Sequence, residues 1–243
     1  AVASRQPPAA EVDGAIEESG KLLTPPPLAT SWLAEVRDLA LGPLALVRKS
    51  GFLRAFCLGL FFFILGIGGS LVILSSFCIA ILGWPQERLQ MLFIIMVPFA
   101  LGALAFGNYV LFPRVGAGAA WLFAVACAFA SQAALLAAPW WPPAVGVSLA
   151  FLGMACLGFP AANTLIFEKV EGSEVTQAMA LLSVAASLAF AVAAPAASAL
   201  FDPSARGAAA ITPFLAGLAL IVAAAAVFVR LLEPWRRSGP TLC

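Results

Sequence analysis

Side chains that commonly carry out chemistry are scarce in this sequence. It contains no histidine, so the most frequent general base and metal ligand is missing. The five cysteines show no C-x-x-C spacing, and four of them lie in apolar runs, where a free cysteine usually behaves as a small buried hydrophobic residue. The lack of histidine excludes a serine protease that uses a histidine base. It also excludes a haem or chlorophyll group that is held by histidine. We predict no enzyme activity, no metal and no cofactor, although a pigment held through asparagine, glutamine or water stays compatible with the sequence.

Charged side chains are equally scarce, and they are grouped. Hydrophobic residues make up 63% of the 243-residue chain and charged residues 10%, whereas soluble domains have about 45–50% and about 25%. The net charge of +1 gives no general attraction for nucleic acid. No Asp, Glu, Lys or Arg lies within residues 55–86, 89–113 or 115–167. A charge at the centre of a membrane-spanning helix costs about 2.5–3.5 kcal/mol, so these stretches predict crossings of a lipid bilayer.

The apolar stretches are long enough for six membrane-spanning helices. A bilayer core needs about 20 apolar residues per helix, and backbone groups in lipid must be paired within the helix itself. The run at residues 115–167 can hold two helices, with the turn between them at residues 139–143. We expect Ser173 to cap the start of the fifth span. The predicted spans are Ala55–Gly83, Met91–Phe112, Ala119–Ala138, Ala144–Phe167, Val175–Leu200 and Ala208–Leu231.

Basic residues and tryptophans predict how the spans are oriented. With six spans both termini lie on one side, and that side holds all of the thirteen Lys and Arg residues except Arg88 and Arg206. The positive-inside rule therefore places both termini in the cytosol, or in the stroma or matrix of an organelle. Tryptophans prefer the two membrane interfaces. We expect one interface to hold Trp84, Trp140 and Trp141, and the other Trp121 and Trp235.

The chain divides into three segments by composition. Residues 1–50 form a polar linker with a short amphipathic helix at Ser31–Leu41, which would lie on the membrane surface or, alternatively, be a plain soluble helix. Residues 51–233 form the membrane domain, and residues 234–243 form a short cytosolic tail. Since residue 1 is not methionine and no signal-peptide pattern follows it, we expect a processed product or a piece of a longer chain.

Small residues and prolines occur where membrane helices pack or bend. Gly66 and Ser70 are four residues apart, with Gly69 beside them, and such small residues let helix backbones approach closely. Pro160 and Pro195 would kink the fourth and fifth spans. The small faces could pack statically, or they could slide past each other during a conformational cycle.

Polar side chains within the predicted spans are uncharged. Without a carboxylate or an amine at mid-span, a proton or ion relay of the usual carboxylate kind is not encoded in these helices. Gln132 is the polar side chain that is most costly to leave unpaired in lipid. It would form an interhelical hydrogen bond or contact a substrate.

Three segments resemble parts of one family of transporters. Residues 107–116 resemble the second-half copy of a cytosolic loop motif, with Arg114 and Gly116 at its basic-glycine end. Residues 158–165 resemble the end of the tenth helix, and residues 193–202 resemble the eleventh helix and its exit. The family is the major facilitator superfamily, and the resemblance is to the C-terminal six-helix half of its tetracycline-efflux-like drug/proton antiporters, over residues 45–233.

Two positions depart from the pattern of that family. The loop motif lacks its acidic residue, with Asn108 nearby, and Thr176-Gln177 replaces an Arg-Gly pair expected before the fifth span. The resemblance nevertheless implies an all-α membrane fold of two inverted three-helix repeats, spans one to three and spans four to six. Spans one, two, four and five would face a central cavity, and spans three and six would face lipid. Residues 1–50 would be the loop that joins the two halves of the transporter.

The function that the resemblance implies is membrane transport of a small solute by alternating access, with proton coupling supplied by the other half. The partners would be the lipid bilayer, an N-terminal six-helix half from the same precursor or a separate chain, and a small-molecule solute. Candidate substrate-lining residues are Ser70 and Ser183, followed by Phe63, Asn163 and Gln177. The alternative is a non-transporting scaffold subunit of a larger membrane complex, derived from such a transporter, and the two departures favour it.

Overall fold

The computed structural model describes residues 45–237, and all regular secondary structure in that range is helical. It includes a π-helical turn at Gly107–Leu111 and a 3-10 turn at Gly207–Ile211. The predicted surface helix at Ser31–Leu41 and residues 238–243 of the predicted tail lie outside the described range. After a helical turn at residues 45–49, the helices are α1 (Gly51–Ala80), α2 (Gln86–Phe106), α3 (Phe112–Ala137), α4 (Ala144–Ala155), α5 (Gly158–Lys169), α6 (Val175–Leu200) and α7 (Thr212–Arg237).

Five helical segments within residues 45–237 are long and apolar enough to cross a membrane. Four of them have 25 to 30 residues, whereas the second has 52. Since about 20 residues span a bilayer core, the chain is an integral membrane protein whose regular structure within residues 45–237 is helical. The five segments are Gly51–Ala80, Gln86–Ala137, Ala144–Lys169, Val175–Leu200 and Gly207–Leu231.

Helix α2 runs parallel to the segment formed by α4 and α5. Near the start of both, Leu89 lies in one hydrophobic cluster with residue 145. Further along, a Cβ atom on Gly153 would lie 2.6 Å from the carbonyl oxygen of Met96, so glycine is what permits this backbone contact. Beyond that point Gly107 abuts the side chain of Leu157. Residue numbers rise together along the contact, and the two segments are therefore parallel.

Helix α3 beyond Gly116 runs antiparallel to the same segment, so the chain reverses between α2 and this main part of α3. Trp121 lies beside Gly158, while Ser131, further along α3, bonds to Ser148, which is earlier in α4. The reversal falls at Gly116, whose φ of 80° and ψ of 167° are not helical. This region of backbone conformation is essentially restricted to glycine, which has no Cβ atom to clash. The 52-residue segment is therefore two helices that fold back on each other.

Helix α1 packs closely against α7. Gly59 contacts the ring of Phe228, and Gly66 lies against Gly217, where a Cβ atom on Gly66 would be 2.8 Å from the carbonyl oxygen of Gly217. Residue numbers in α7 fall as those in α1 rise, so the two helices are antiparallel.

Helix α6 lies along another face of α1 and runs parallel to it. Residues 178–189 of α6 share the larger hydrophobic cluster with residues 53–64 of α1. Ala197, near the end of α6, shares the second cluster with residues 73–78, near the end of α1. Gly69 of α1 is close to Ala197, which again places small residues at a helix contact.

Trp121 lies in the core of the bundle, so its side chain faces protein and not the lipid of a membrane interface. Its side chain is fully buried, and its ring centroid is 4.9 Å from that of Phe228 and 5.1 Å from that of Phe63. Helix α3 packs against both α5 and α7, which leaves position 121 facing protein. By contrast, Trp140 and Trp141 are 70% and 53% exposed in the turn between α3 and α4.

The fourth predicted span is divided into α4 and α5 at residues 156–157. Pro160 has no N–H group to donate to the carbonyl oxygen of Cys156, four residues earlier. That oxygen instead accepts a bond from Phe159 at 3.3 Å, which tightens the turn. Helix α6, in contrast, continues through Pro195.

Two predicted helix ends also shift. Helix α1 begins at Gly51 rather than Ala55, because Ser50 caps it: the Leu53 N–H group donates to Ser50 Oγ at 3.3 Å. Helix α7 continues to Arg237 instead of ending at residue 231. Hydropathy marks the part of a helix that fits the bilayer core, and the helix itself extends past it.

Candidate functional site

A cavity of about 110 Å³ lies where α1, α2, the junction of α4 with α5, and α6 meet. We call it the four-helix cavity. On α1, residues 64, 67 and 71 are three and four positions apart, so they share one helix face. The complete lining is Ile64, Ile67, Leu71, Met96, Leu152, Ala155, Cys156, Phe159 and Phe190.

The chemistry of the four-helix cavity is apolar. None of its lining side chains is charged, and the Cys156 thiol donates to the carbonyl oxygen of Leu152 at 3.7 Å. Phe159 and Phe190 are each 48% exposed, so the cavity lies at the surface of the described bundle and not in its core. Such a site accommodates apolar groups, and its side chains offer no partner to an ion or a carboxylate.

Two of the predicted substrate-lining residues lie inside the bundle and not on this cavity. Ser70 is 4% exposed and bonds to α3, while Phe63 is 2% exposed and packs against Trp121. The face of α1 that carries residues 63 and 70 therefore meets other helices of the same bundle. The four-helix cavity is lined instead by residues 64, 67 and 71 of that helix.

The other predicted lining residues are on exposed faces. Ser183 and Gln177 are exposed on α6, and Asn163 is exposed on α5. The Ser183 hydroxyl donates to the carbonyl oxygen of Met179, one turn earlier, at 3.1 Å. The structure does not bring these three side chains together with Ser70 and Phe63 in one site.

A group of four polar side chains is buried between α1, α3 and α4. We call Ser70, Ser131, Gln132 and Ser148 the polar cluster, and they are the buried polar residues of the described region. Ser70 Oγ is 2.8 Å from Gln132 Oε1, and the hydroxyls of Ser131 and Ser148 are 2.8 Å apart. Of the two alternatives for Gln132, the structure shows the interhelical hydrogen bond.

The segment that resembles a cytosolic loop motif is the reversal between α2 and α3. It begins at Gly107, which lies against Leu157, and ends at Gly116, whose positive φ permits the turn. Arg114 and Tyr109 are exposed, the latter by 83%. The glycines of the motif thus determine the backbone path, and its basic side chain is accessible.

An ion pair on the same side of the bundle joins the entry of α1 to the start of α6. Lys49 Nζ donates to a carboxylate oxygen of Glu174 at 3.1 Å. The negative carboxylate stabilises the ammonium, so the pKa of Lys49 is raised above its ordinary value of 10.5. The predicted N-cap at Ser173 is wrong: Glu174 takes the cap position, forms no side-chain cap bond, and uses its carboxylate for Lys49.

Sequence reasoning did not single out the residues of the four-helix cavity. Met96, Phe159 and Phe190 are apolar residues in apolar helices, and nothing in their spacing separates a cavity wall from a surface that faces lipid. A signal did exist for Ser50, a typical N-cap residue placed directly before a long apolar run. The pair of Lys49 and Glu174 is separated by 125 positions and leaves no local pattern.

The chain was compared with known proteins in three ways. No protein-family model matches it, no curated protein matches it, and no solved structure matches it.

Proposed function

We propose that the chain crosses the membrane six times and acts as the C-terminal half of a transporter of the major facilitator type. It would move a small apolar or amphiphilic solute by alternating access. The observation that carries the proposal is the pattern of helix packing. That pattern is unchanged when the first three crossings are exchanged with the last three.

The number of crossings is supported by the length of the second apolar segment. Its 52 residues would extend about 78 Å as one helix, against a bilayer core of about 30 Å. The turn at Gly116 divides it into two pieces, each long enough for one crossing. Six crossings place both termini on one side, together with most of the basic residues, which by the positive-inside rule is the cytosolic, stromal or matrix side.

The repeat is supported by the neighbours of α1 and of the α4–α5 segment. Helix α1, the first crossing, packs mainly against α6, which is parallel to it, and α7, which is antiparallel. The α4–α5 segment, the fourth crossing, packs mainly against α2, which is parallel, and α3, which is antiparallel. Exchanging crossings one, two and three with four, five and six converts one set into the other. Since three crossings reverse the chain direction, such repeats are inverted.

The solute class is supported by the four-helix cavity. Its wall comes from crossings one, two, four and five, the set that the family resemblance places around a central pathway. The wall is apolar and has no charged side chain, so an apolar or amphiphilic solute fits it better than an ion or a sugar. Proton coupling would require ionisable groups of the other half.

The experiment is solute uptake by the assembled transporter. The chain is co-expressed with a six-helix N-terminal half, purified as a complex and reconstituted into vesicles. Entry of radiolabelled chloramphenicol, an uncharged amphiphile, is then followed by filtration. Phe190→Ala enlarges the four-helix cavity, and we expect it to change the rate of uptake about tenfold. Phe129→Ala is the matched control, because Phe129 is exposed to a similar degree, 43%, on α3, which does not line the cavity.

The outcomes separate the parts of the proposal. Uptake that responds to Phe190→Ala and not to Phe129→Ala supports transport through the four-helix cavity. Equal responses of the two variants would remove the cavity from the pathway. Absence of uptake by a well-folded complex would contradict transport itself.

A scaffold subunit is the second candidate, favoured by the two positions that depart from the transporter pattern. The loop lacks the acidic residue of the family motif and has only the uncharged Asn108 nearby. At the start of α6, Thr176-Gln177 supplies no positive charge where the family has an Arg-Gly pair. Contacts that close and open a transporter depend on such charges. Isolation of the chain from native membranes in a stable complex of several subunits, without solute flux, would favour the scaffold.

A further inference from the structure

The polar cluster surrounds a small cavity that is separate from the four-helix cavity. All four of its polar side chains line this space, and the remaining lining is apolar, from α1, α3 and α4. The volume is about 10 Å³, and roughly 10–15 Å³ is enough for one water molecule. The polar side chains are each at most 4% exposed, so the polar side of this space is covered by protein.

The polar cluster has one hydroxyl proton that the bonds within its two pairs do not use. Ser70 has one hydroxyl proton but two acceptors within reach, the carbonyl oxygen of Gly66 at 3.1 Å and Gln132 Oε1 at 2.8 Å. Ser131 and Ser148 have two hydroxyl protons, and one bond of 2.8 Å between them uses only one. The Ser131–Ser148 pair therefore has one hydroxyl proton left for a further acceptor, and Gln132 Oε1 has a second lone pair that can accept another hydrogen bond.

We propose that one water molecule binds in this cavity and joins the two hydrogen-bonded pairs. The water accepts the spare hydroxyl proton of the Ser131–Ser148 pair and donates to the oxygen atoms of the Ser70–Gln132 pair. Every hydroxyl proton of the polar cluster then has an acceptor, as buried polar groups require in apolar surroundings. The water links α1 to α4 through α3. This site does not depend on whether the protein transports a solute.

The direct experiment is a density map of the full chain, in lipid, at a resolution that shows ordered water. We expect a peak within hydrogen-bonding distance of at least three of the four side chains of the polar cluster. A map that shows other buried waters and no peak here would overturn the proposal.

A second experiment uses a double-mutant cycle between Ser70→Ala and Ser148→Ala. These residues belong to different pairs and do not bond to each other, and apart from a bridging group the two pairs are joined only through the neighbouring residues Ser131 and Gln132 of α3. We expect the double variant to lose less stability than the sum of the two single variants, by about two- to tenfold in the equilibrium constant of unfolding. Ser183→Ala combined with Ser148→Ala is the control, because Ser183 bonds only to its own helix, and this pair should be additive. Additivity of Ser70→Ala and Ser148→Ala would contradict a bridging water.

A third measurement distinguishes water from a sodium ion, which the same oxygen atoms could coordinate. The thermal unfolding midpoint is measured in sodium chloride and in choline chloride at equal ionic strength. Equal midpoints support water. A midpoint that is higher in sodium chloride than in choline chloride for the wild-type chain, and not for Ser70→Ala, would overturn the proposed water in favour of a sodium ion.

Discussion

At Gly217 the backbone of α7 passes directly over the polar cluster. A Cβ atom there would lie 2.9 Å from Ser70 Oγ and 3.2 Å from Gln132 Oε1. We therefore expect Gly217→Ala to lower the free energy of unfolding by about 1–3 kcal/mol, since the added methyl group must displace buried side chains. Thermal or denaturant unfolding in detergent measures the change.

The matched control for Gly217 is Gly102 in α2. A Cβ atom on Gly102 meets no other atom within 4 Å. Alanine is favoured over glycine in a helix interior by about 0.5–1 kcal/mol, so Gly102→Ala should be neutral or stabilising. If the two substitutions had the same effect, close packing at Gly217 would not be the cause.

Asp202, in the loop that follows α6, predicts a dependence of stability on pH. The hydroxyl and the N–H group of Ser204 donate to its carboxylate at 2.7 and 2.8 Å, which lowers its pKa below the ordinary value of 3.8. A carboxylate with a lowered pKa in the folded state stabilises the fold above its unfolded-state pKa. This contribution is lost as the pH falls through the folded-state value.

The measurement is the unfolding midpoint of the wild-type chain and of Asp202→Asn across the acidic range. We expect the unfolding midpoint of the wild-type chain to exceed that of Asp202→Asn by a small amount, because Asp202 is exposed. This wild-type advantage should disappear below pH 3.8. Ser204→Ala should reduce the same advantage. An advantage that grew as the pH fell would have the wrong sign for this carboxylate.

The partners of polar side chains could not be predicted at the residue scale. The sequence indicates that Gln132 needs a partner within an apolar span, and the structure shows that this partner is Ser70, 62 positions away. Phe63 and Trp121 illustrate the same limit, because lipid and protein interior are both apolar. Hydropathy therefore gives the depth of a side chain in the membrane and not the direction in which it faces.

Whole helices follow from the sequence more closely than side-chain contacts do. Residues Val175–Leu200 are helical as predicted, because an uncharged run of that length in lipid has no other way to pair its backbone. The break before Pro160 could be predicted only with knowledge of the local hydrogen bonds. Pro195 shows that proline alone does not determine a break, because α6 continues through it. The four-helix cavity needed the packing of four helices, which no single run of residues specifies.

The reversal at Gly116 gives a prediction at the scale of helices. With φ of 80° and ψ of 167°, this backbone is strained for any residue that carries a Cβ atom. We expect Gly116→Ala to cost about 1–3 kcal/mol in the free energy of unfolding, and Gly116→Asn to cost about as much, since asparagine tolerates a different positive-φ region. Gly146→Ala in α4 is the control, because a Cβ atom there meets nothing within 4 Å. A stable Gly116→Ala variant would contradict the turn.

At the scale of the whole molecule, the number of crossings can be tested by labelling. Single cysteines are placed at Glu87, Arg114, Trp140 and Ser173 in a chain whose own cysteines are replaced, and sealed vesicles are treated with an impermeant maleimide. Six crossings predict that positions 87 and 140 react from one side and positions 114 and 173 from the other. If Gln86–Ala137 crossed only once, positions 87 and 140 would react from opposite sides.

The packing of crossings one to three against crossings four to six has a consequence for biosynthesis. The extensive helix contacts of the described bundle all join a member of the first set to a member of the second. With the proposed six crossings, the first three would enter the bilayer during translation without the neighbours that bury their inner faces. Packing of α2 and α3 would wait for the α4–α5 segment, and packing of α1 would wait for α6 and α7. Until then, lipid or an insertion chaperone would cover those faces.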